Sequence, residues 1–553
     1  MKLQNMPKRT LFSLFVLSVL FFLQGFTLSV NNNIEKNPLQ IFLLNSETSI
    51  QGDLPDWVLL DPDKDGYEGV RTNEFYKFLK TLNPVPQRTD VTVAVIDSGF
   101  DINHEDLKDN IWKNESELYG ISGVDDDNNG YTDDFYGWNF LGTKYNASLE
   151  VTREYYRLKN LGTDETDFYF KKVKKEFEDK RDEIISTQEG VSETLSEYIN
   201  AENVLKTKNI TSDPKKLMEI SEGLKGKYQD AASMILGIYM LFGTDKNDLI
   251  ELDDEYKLKS KVLFDSLDLD TETENTLLEK NYGNNNVLEE TEIHGTHVSG
   301  IIGSKKTGQA PFVKIMCLRA VPNQGDERDK DVGNAIRYAV DNGASIINMS
   351  AGKYFSPHPD FVVDAIKYAE DNNVLFVVSA GNEGEDITEI VNFPRKYLYE
   401  NGNKKYFSNM IVVGASTWMK QWNDEKDPEN ENSKYDLAAS FSNYSDEVVD
   451  VFAPGARINS TAPGNKYKII SGTSMAAPVV SGIAAVLKSY YPQLSAAQLK
   501  ESILSGARQY ENLKVKIKGK PYKMLFSELS KSGGVADLIG AFIKAGELAA
   551  IQN

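Results

Sequence analysis

The chain has 553 residues, 61 basic against 83 acidic side chains, a net charge of −22, and a single cysteine. An acidic balance of this size argues against a phosphate-binding footprint, so nucleic acid is not an expected partner. With Cys317 alone, no intrachain disulfide and no cysteine-built zinc or iron–sulfur site can form.

Residues 1–29 read as a signal peptide: Lys2, Lys8 and Arg9 precede Leu11–Leu23, a run apolar apart from Ser13 and Ser18, and small or polar residues follow. The run is shorter than the ~20 residues that span a bilayer, which favours cleavage over anchoring. The expected location is extracytoplasmic (secreted, periplasmic or at the cell envelope), with no stable membrane span after signal removal. Oligomeric state stays open.

Residues 30–85 form an N-terminal extension. Within it Asp61, Asp63, Asp65 and Gly66 share the spacing of a calcium loop, but Thr72 stands at its twelfth place. Apolar, β-branched runs then recur at Val91–Ile96, Val313–Leu318, Ala344–Met349, Val374–Ser379 and Ile411–Ala415. Their continuity implies burial on both faces. Helical spacing separates them, as over Asp331–Asp341 and Asp360–Asn372. Strands alternating with helices predict an α/β fold over residues 86–508, three layers with a central parallel sheet and helices on both faces. Functional side chains are expected at the carboxyl ends of its strands.

Residues 142–287 interrupt this rhythm. Residues 151–290 hold 20 basic and 31 acidic side chains, half of the net charge. Phe170, Val173 and Phe177, then Val191, Leu195 and Tyr198, then Leu217, Ile220 and Leu224 keep helical spacing among charged neighbours. A mainly helical, charged insertion is predicted. Residues 509–553 read as a C-terminal appendage, with a hairpin of Val515–Ile517 and Lys523–Phe526 and an Ala-rich helix from Val535.

Ahead of the insertion, Asp125, Asp127, Asn129, the Tyr131 carbonyl and Asp133 or Asp134 follow the opening of an EF-hand loop, with Gly130 at the turn. Tyr136 stands where that loop has a bidentate Glu. A structural calcium site and a solvated acidic turn are the two readings.

Three motifs end strands or open helices: VAVIDSG around Asp97, HGTHVSG from His294 and SGTSMAAP around Ser474. Singly, each has a plain explanation. An acid after a strand forms turns, His294 and His297 are a ligand pair or packed imidazoles, and a serine opening a helix is an N-cap. Together, in the order Asp, His, Ser, they resemble the subtilisin-like serine peptidases (subtilase family) over roughly residues 90–141 and 288–508. The resemblance implies that the domain at 86–508 is a peptidase, that Asp97, His294 and Ser474 form its catalytic triad, and that Asn382 in SAGNEG stabilises the oxyanion. It further implies that Ser350, Ala351 and Gly352 bind the substrate backbone, with Ala351 where the family has Leu, and that Phe393-Pro394 is a cis peptide.

The chemistry fits those residue types. A serine hydroxyl is a weak nucleophile that needs a neutral imidazole to take its proton, and the imidazole needs a carboxylate to fix its tautomer and stabilise its cation. The expected protein is an exported serine endopeptidase acting on protein or peptide substrates through an acyl-enzyme, without a cofactor for the chemistry. A non-catalytic binding protein that uses the acidic insertion on the same scaffold is the alternative. Gly295, Gly300 and Gly472 are expected to permit close approach. Cys317, His104, His297 and His358 are expected to be structural or superficial.

Overall fold

Every apolar run in the α/β portion becomes a strand, and the strands assemble into one sheet. The computed structural model describes residues 56–82, 86–242, 244–265, 276–280, 282–420 and 436–551; the predicted signal at 1–29 lies outside them. In chain order the strands are β1 (Thr92–Asp97), β2 (Gly137–Asn139), β3 (Lys314–Arg319), β4 (Ile346–Met349), β5 (Leu375–Ser379), β6 (Tyr397–Glu400), β7 (Asn403–Tyr406), β8 (Met410–Ser416), β9 (Val451–Pro454), β10 (Ile458–Ala462), β11 (Lys466–Ile470), β12 (Arg508–Gln509), β13 (Lys514–Lys516), β14 (Lys523–Leu525) and β15 (Gly534–Val535). The helices are α1 (Pro62–Asp65), α2 (Thr72–Leu79), α3 (Glu115–Leu118), α4 (Glu150–Asn160), α5 (Phe168–Lys206), α6 (Pro214–Ile220), α7 (Lys227–Phe242), α8 (Lys246–Val262), α9 (His294–Gly303), α10 (Asp329–Asp341), α11 (Pro359–Asp371), α12 (Thr473–Tyr490), α13 (Ala496–Ser505) and α14 (Leu538–Ile551).

Nine strands form the main sheet in the order β12-β15-β9-β8-β5-β4-β1-β3-β2. Its pairs are parallel except for β12 with β15. Because side chains alternate across a strand, a continuous apolar run feeds two cores at once. Val93 and Val95 of β1 join Cys317, Val377 and Val413 on the face covered by α9 and α12. Ala94 and Ile96 join Leu318, Ile347 and Phe376 on the face covered by α10 and α11. This is the predicted three-layer α/β arrangement. The chain enters at β1 and later lays β3 on one side of it and β4 on the other, so the strand order reverses there, and a ligand crevice is expected at the carboxyl ends beside β1.

The insertion is helical, with one difference from the spacing argument. Phe170, Val173, Val191, Leu195 and Tyr198 all lie on the single 39-residue helix α5. Gly190 does not break it, since a single Gly costs a helix only about 1 kcal/mol relative to Ala. Among the described residues, Ser186–Asp253 form a compact unit of their own, with a core that includes Tyr198, Leu205, Leu217, Ile235 and Leu249. In the larger unit, Val151 and Leu158 of α4 pack with Phe170, Val173 and Phe177 of α5 and with Phe355. Leu217 is buried, whereas Ile220 is exposed.

Toward the C-terminus, β13 and β14 form the predicted hairpin, with Lys514 opposite Leu525. Gly534–Val535 is strand β15 rather than helix; Val535 pairs with Phe452 of β9, and the helix begins at Leu538. The acidic run at Asp61 is a helix cap: Asp61 Oδ1 accepts from Asp63 N (2.9 Å) and Lys64 N (3.4 Å), and Gly66 at φ 76° ends the turn.

Candidate active site

The Asp and His motifs meet at the carboxyl end of β1, and the Ser motif lies at the carboxyl end of the adjacent strand β4. Asp97 closes β1 and is 1% exposed. Its Oδ1 accepts from Ser98 N (2.7 Å), Ser98 Oγ (3.2 Å) and His294 Nδ1 (2.8 Å). His294 is the first residue of α9. That helix sits against β1 because residue 295 is Gly: a Cβ there would lie 2.2 Å from Gly99 O and 3.1 Å from Asp97 Cβ. Gly300 plays the same part against β10, where a Cβ would lie 2.1 Å from Thr461 Oγ1. Gly472 differs from expectation, because a Cβ there would meet only ordinary contacts of 3.6 Å or more.

Burial pushes the His294 imidazole toward its neutral form, but Asp97, through charge and hydrogen bond, and Glu292 outweigh it, so its pKa stands above the ordinary value. His297, three residues on, is fully buried, and its Nε2 lies 2.9 Å from Lys468 O and 3.1 Å from Ile458 O. Those carbonyls need an N–H there, so Nδ1 is bare, and it has no partner. Burial lowers the pKa of His297 to about 4.

Ser474 lies in the first turn of α12, a helix buried over nearly all its length. Pro478 has no N–H, so the Ser474 carbonyl lacks its usual helical donor four residues on. Ser350, just past β4, fills the gap: its Oγ donates to Ser474 O at 2.8 Å. In return Ser474 Oγ donates to Ser350 O at 3.1 Å, so the Ser474 hydroxyl is turned to the Ser350 carbonyl rather than to His294. Asn382 follows β5. Its Oδ1 accepts from Thr473 N (2.8 Å) and Thr473 Oγ1 (2.9 Å), which assigns Nδ2 to the open side. Ser350, Ala351, Gly352, Asn382 and Ser474 line one cavity of about 250 Å³, joined by Glu383 and Asn392.

Directly after the Ser350–Gly352 edge stands a buried charge cluster that motif reading did not single out. Lys353 follows Gly352, and its backbone pairs with Phe393 (Lys353 N to Phe393 O 3.1 Å, Phe393 N to Lys353 O 2.8 Å). The Phe393-Pro394 peptide is cis. Lys353 Nζ is buried against Glu150 Oε2 (2.6 Å), Asp329 Oδ1 (2.9 Å) and Glu327 O (2.8 Å). Glu150 also pairs with Arg153. Burial opposes ionisation of Glu150, yet Arg153 and Lys353 outweigh it and hold its pKa at about 2. The first helix of the insertion is thereby fixed to the edge at Ser350–Gly352. Nothing in the spacing of Glu150, Asp329 and Lys353 along the chain reveals that they meet.

In the acidic loop, Asp125 and Asp127 come together with Glu117 of α3, which the loop pattern does not contain: one carboxylate oxygen of each lies within 4.8 Å of the other two. Asp125 also accepts from Asn129 N and Gly130 N, and Asn129 Oδ1 accepts from Tyr131 N. Asp133 turns away to Gly123 N (2.9 Å). The Tyr131 ring packs on Trp138 and Tyr338. Asp134 is buried, accepts from Asn114, Asn129 and Tyr338, and burial raises its pKa to about 6. Cys317 is buried in the sheet, which pushes its thiol far above the ordinary range, so it is a core side chain. His104 is buried rather than superficial, with Nε2 3.0 Å from Lys466 O.

The chain is 37% identical over 202 residues to the thermophilic serine proteinase of Bacillus sp. (strain AK1), covering 35% of this chain and 42% of that one. It is 32% identical over 215 residues to the thermostable alkaline protease of Halalkalibacterium halodurans, covering 38% of this chain and 51% of that one. The alignments thus span about half the length of these relatives. A solved cold-adapted subtilisin-like serine proteinase is 28% identical, with 43% of this chain and 76% of that chain covered at a TM-score of 0.34. The model of the subtilase family matches residues 88–519, most of the chain, and the protein therefore belongs to that family.

Proposed function

We propose that the chain is an exported serine endopeptidase that cleaves peptide bonds in protein substrates through an acyl-enzyme. The observation that carries this reading is the 2.8 Å contact of His294 Nδ1 with Asp97 Oδ1, two residues 197 positions apart in the chain. With Nδ1–H engaged by the carboxylate, Nε2 is the basic nitrogen of the neutral ring. It takes the proton of Ser474 Oγ as that oxygen attacks the substrate carbonyl, and Asp97 stabilises the resulting imidazolium. In this reading the Ser474 hydroxyl leaves the Ser350 carbonyl and turns to His294 by rotation about its Cα–Cβ bond. Such catalytic hydrogen bonds commonly tighten only with substrate bound.

Negative charge on the former carbonyl oxygen is met by Asn382 Nδ2 and by the backbone N–H of Ser474, where the dipole of α12 adds to the donor. The C–N bond then breaks and the leaving amine takes the proton from His294. Water, deprotonated by His294 in turn, then adds to the acyl carbon, the ester bond to Ser474 Oγ breaks, and that oxygen takes the proton back from His294. The edge Ser350–Gly352 receives the substrate backbone as an added strand.

Two further assignments accompany this reading. Glu117, Asp125 and Asp127 would hold a structural calcium remote from the chemistry. Oxygens 2.3–2.6 Å from one ion lie up to about 5 Å apart, which their spacing accommodates. Export is supported by the basic start and the apolar run at Leu11–Leu23, and no helix among the described residues is long and apolar enough to cross a membrane.

The test is a peptide-library digest by the wild-type chain beside Ser474→Ala. Turnover lost with Ser474 is expected. Undiminished turnover by Ser474→Ala would overturn the assignment, and a folded wild type that cleaves nothing would favour a binding protein on this scaffold.

A further inference from the structure

One buried ion pair beside the candidate triad has no part in the reaction described above. Arg319 ends β3 and is the register partner of Asp97 on the adjacent parallel strand. Its side chain is 1% exposed, and a guanidinium keeps its charge at any working pH, so it needs a carboxylate there. Arg319 Nη2 donates to Glu289 Oε2 (2.8 Å) and Asn323 Oδ1 (3.1 Å), and the Tyr145 ring centroid lies 4.4 Å from its Cζ. Glu289 leads out of the insertion toward α9. Its other oxygen accepts from Thr291 N (2.9 Å), Thr291 Oγ1 (2.6 Å) and Glu292 N (3.4 Å). Glu292 Oε1 in turn accepts from Ile293 N (3.1 Å) and His294 N (3.3 Å).

The glycine of the Asp97 motif makes room for this pair. Gly99 has φ 141°, and a Cβ on it would lie 2.5 Å from Glu289 Cβ and 3.4 Å from Arg319 Cζ. Glu289 N also donates to Phe100 O at 3.0 Å. One residue thus joins three segments: the Glu289 carboxylate holds the end of β3 and the turn that delivers His294, and the Glu289 backbone N–H holds the chain just past β1.

Resting on the proposed peptidase reading, we propose that the Glu289–Arg319 pair is a positioning element for His294: Glu289 sets the turn that places the imidazole, and its charge cancels that of Arg319 beside Asp97. The charged and titratable groups facing His294 are Asp97 on β1, Glu292 ahead of α9 and His297 on α9 itself. Glu289→Gln leaves the Arg319 cation uncompensated, which favours the neutral imidazole.

The test follows the titration of His294 by NMR in the Ser474→Ala background, where four histidines give a sparse spectrum, so the result does not depend on turnover. Glu289→Gln is expected to lower the His294 midpoint by about half a pH unit, and Glu289→Gln combined with Arg319→Met to restore it. Glu289→Asp, which keeps the charge but shortens the reach, is expected to leave the midpoint in place and, with Ser474 intact, to lower kcat about tenfold at unchanged KM. It also serves if Glu289→Gln fails to fold. A midpoint unmoved by Glu289→Gln, a shift that Arg319→Met fails to reverse, or unchanged kcat in Glu289→Asp would overturn the proposal. A wild type without peptidase activity would instead remove the reading on which it rests, while the titration would still report the pair's effect on His294.

Discussion

Ser350 and Ser474 exchange two hydrogen bonds: Ser350 Oγ donates to Ser474 O at 2.8 Å, and Ser474 Oγ donates to Ser350 O at 3.1 Å. The first exists because Pro478 leaves the Ser474 carbonyl without its helical donor. Ser350→Ala is therefore expected to cost about 1 kcal/mol of stability. In a Pro478→Ala background residue 478 regains an N–H, and the cost should shrink by most of that amount. Urea unfolding of the four chains measures the coupling. Equal costs in both backgrounds would show that the two groups act independently.

The raised pKa of His294 has a kinetic consequence. A general base must be neutral, so kcat/KM is expected to fall as pH drops through that pKa, with the midpoint of the acid limb above 6.5. Asp97→Asn removes the charge that outweighs burial and should move the limb to lower pH. It should also lower kcat by about 10⁴, the size of the effect in a serine protease with the same constellation on another fold. A pH–rate profile of both proteins checks sign and size.

Asn382→Ala is expected to lower kcat by about 10²–10³ with KM nearly unchanged, because its donor meets charge that exists only in the transition state. That magnitude is carried over from subtilisin, the family member from which it comes. A rise in KM at constant kcat would assign Asn382 to ground-state binding instead.

His297 is expected to weaken the fold in acid. Its folded pKa of about 4 lies below the ordinary 6.5, so between those values the unfolded chain binds a proton that the folded chain refuses. Stability is fully present above the unfolded value and falls by about 3 kcal/mol as pH drops through the window. Protonation would place an N–H on Nδ1, which is buried without an acceptor. His297→Gln should remove most of this decline in urea midpoints taken between pH 7.5 and 4.5. An unchanged decline would assign the acid sensitivity to other groups.

Calcium should stabilise the chain through Glu117, Asp125 and Asp127. At about 100 times Kd the gain is about 2.7 kcal/mol, reversed by chelation. Glu117→Gln is expected to lose most of this response while the folded enzyme keeps its kcat. A full response in Glu117→Gln would place the ion elsewhere.

The parts of the fold legible in sequence are those with strong local patterns. Val91–Ile96 and its counterparts are apolar on both alternating sets of positions because both sheet faces are covered, and helix spacing marks α10 and α11 within one or two residues. β2, with three residues, is too short for any window, and a lone Gly190 in a helical pattern does not say whether α5 breaks or runs on. At the site, the motifs name the chemical groups but not their neighbours. Glu117 reaches the acidic loop from a separate helix, Lys353 is neutralised by Glu150 and Asp329 from two distant chain segments, and the Ser474 hydroxyl faces Ser350. Each is set by tertiary packing of distant segments, which spacing along a chain does not encode.

The most direct test of the proposed chemistry is mass spectrometry of the folded protein after reaction with a fluorophosphonate. A stoichiometric adduct on the peptide containing Ser474, formed above the His294 midpoint and lost in His294→Ala, is the predicted result. An adduct on another residue, or labelling at an undiminished rate in His294→Ala, would contradict a Ser474 nucleophile activated by His294.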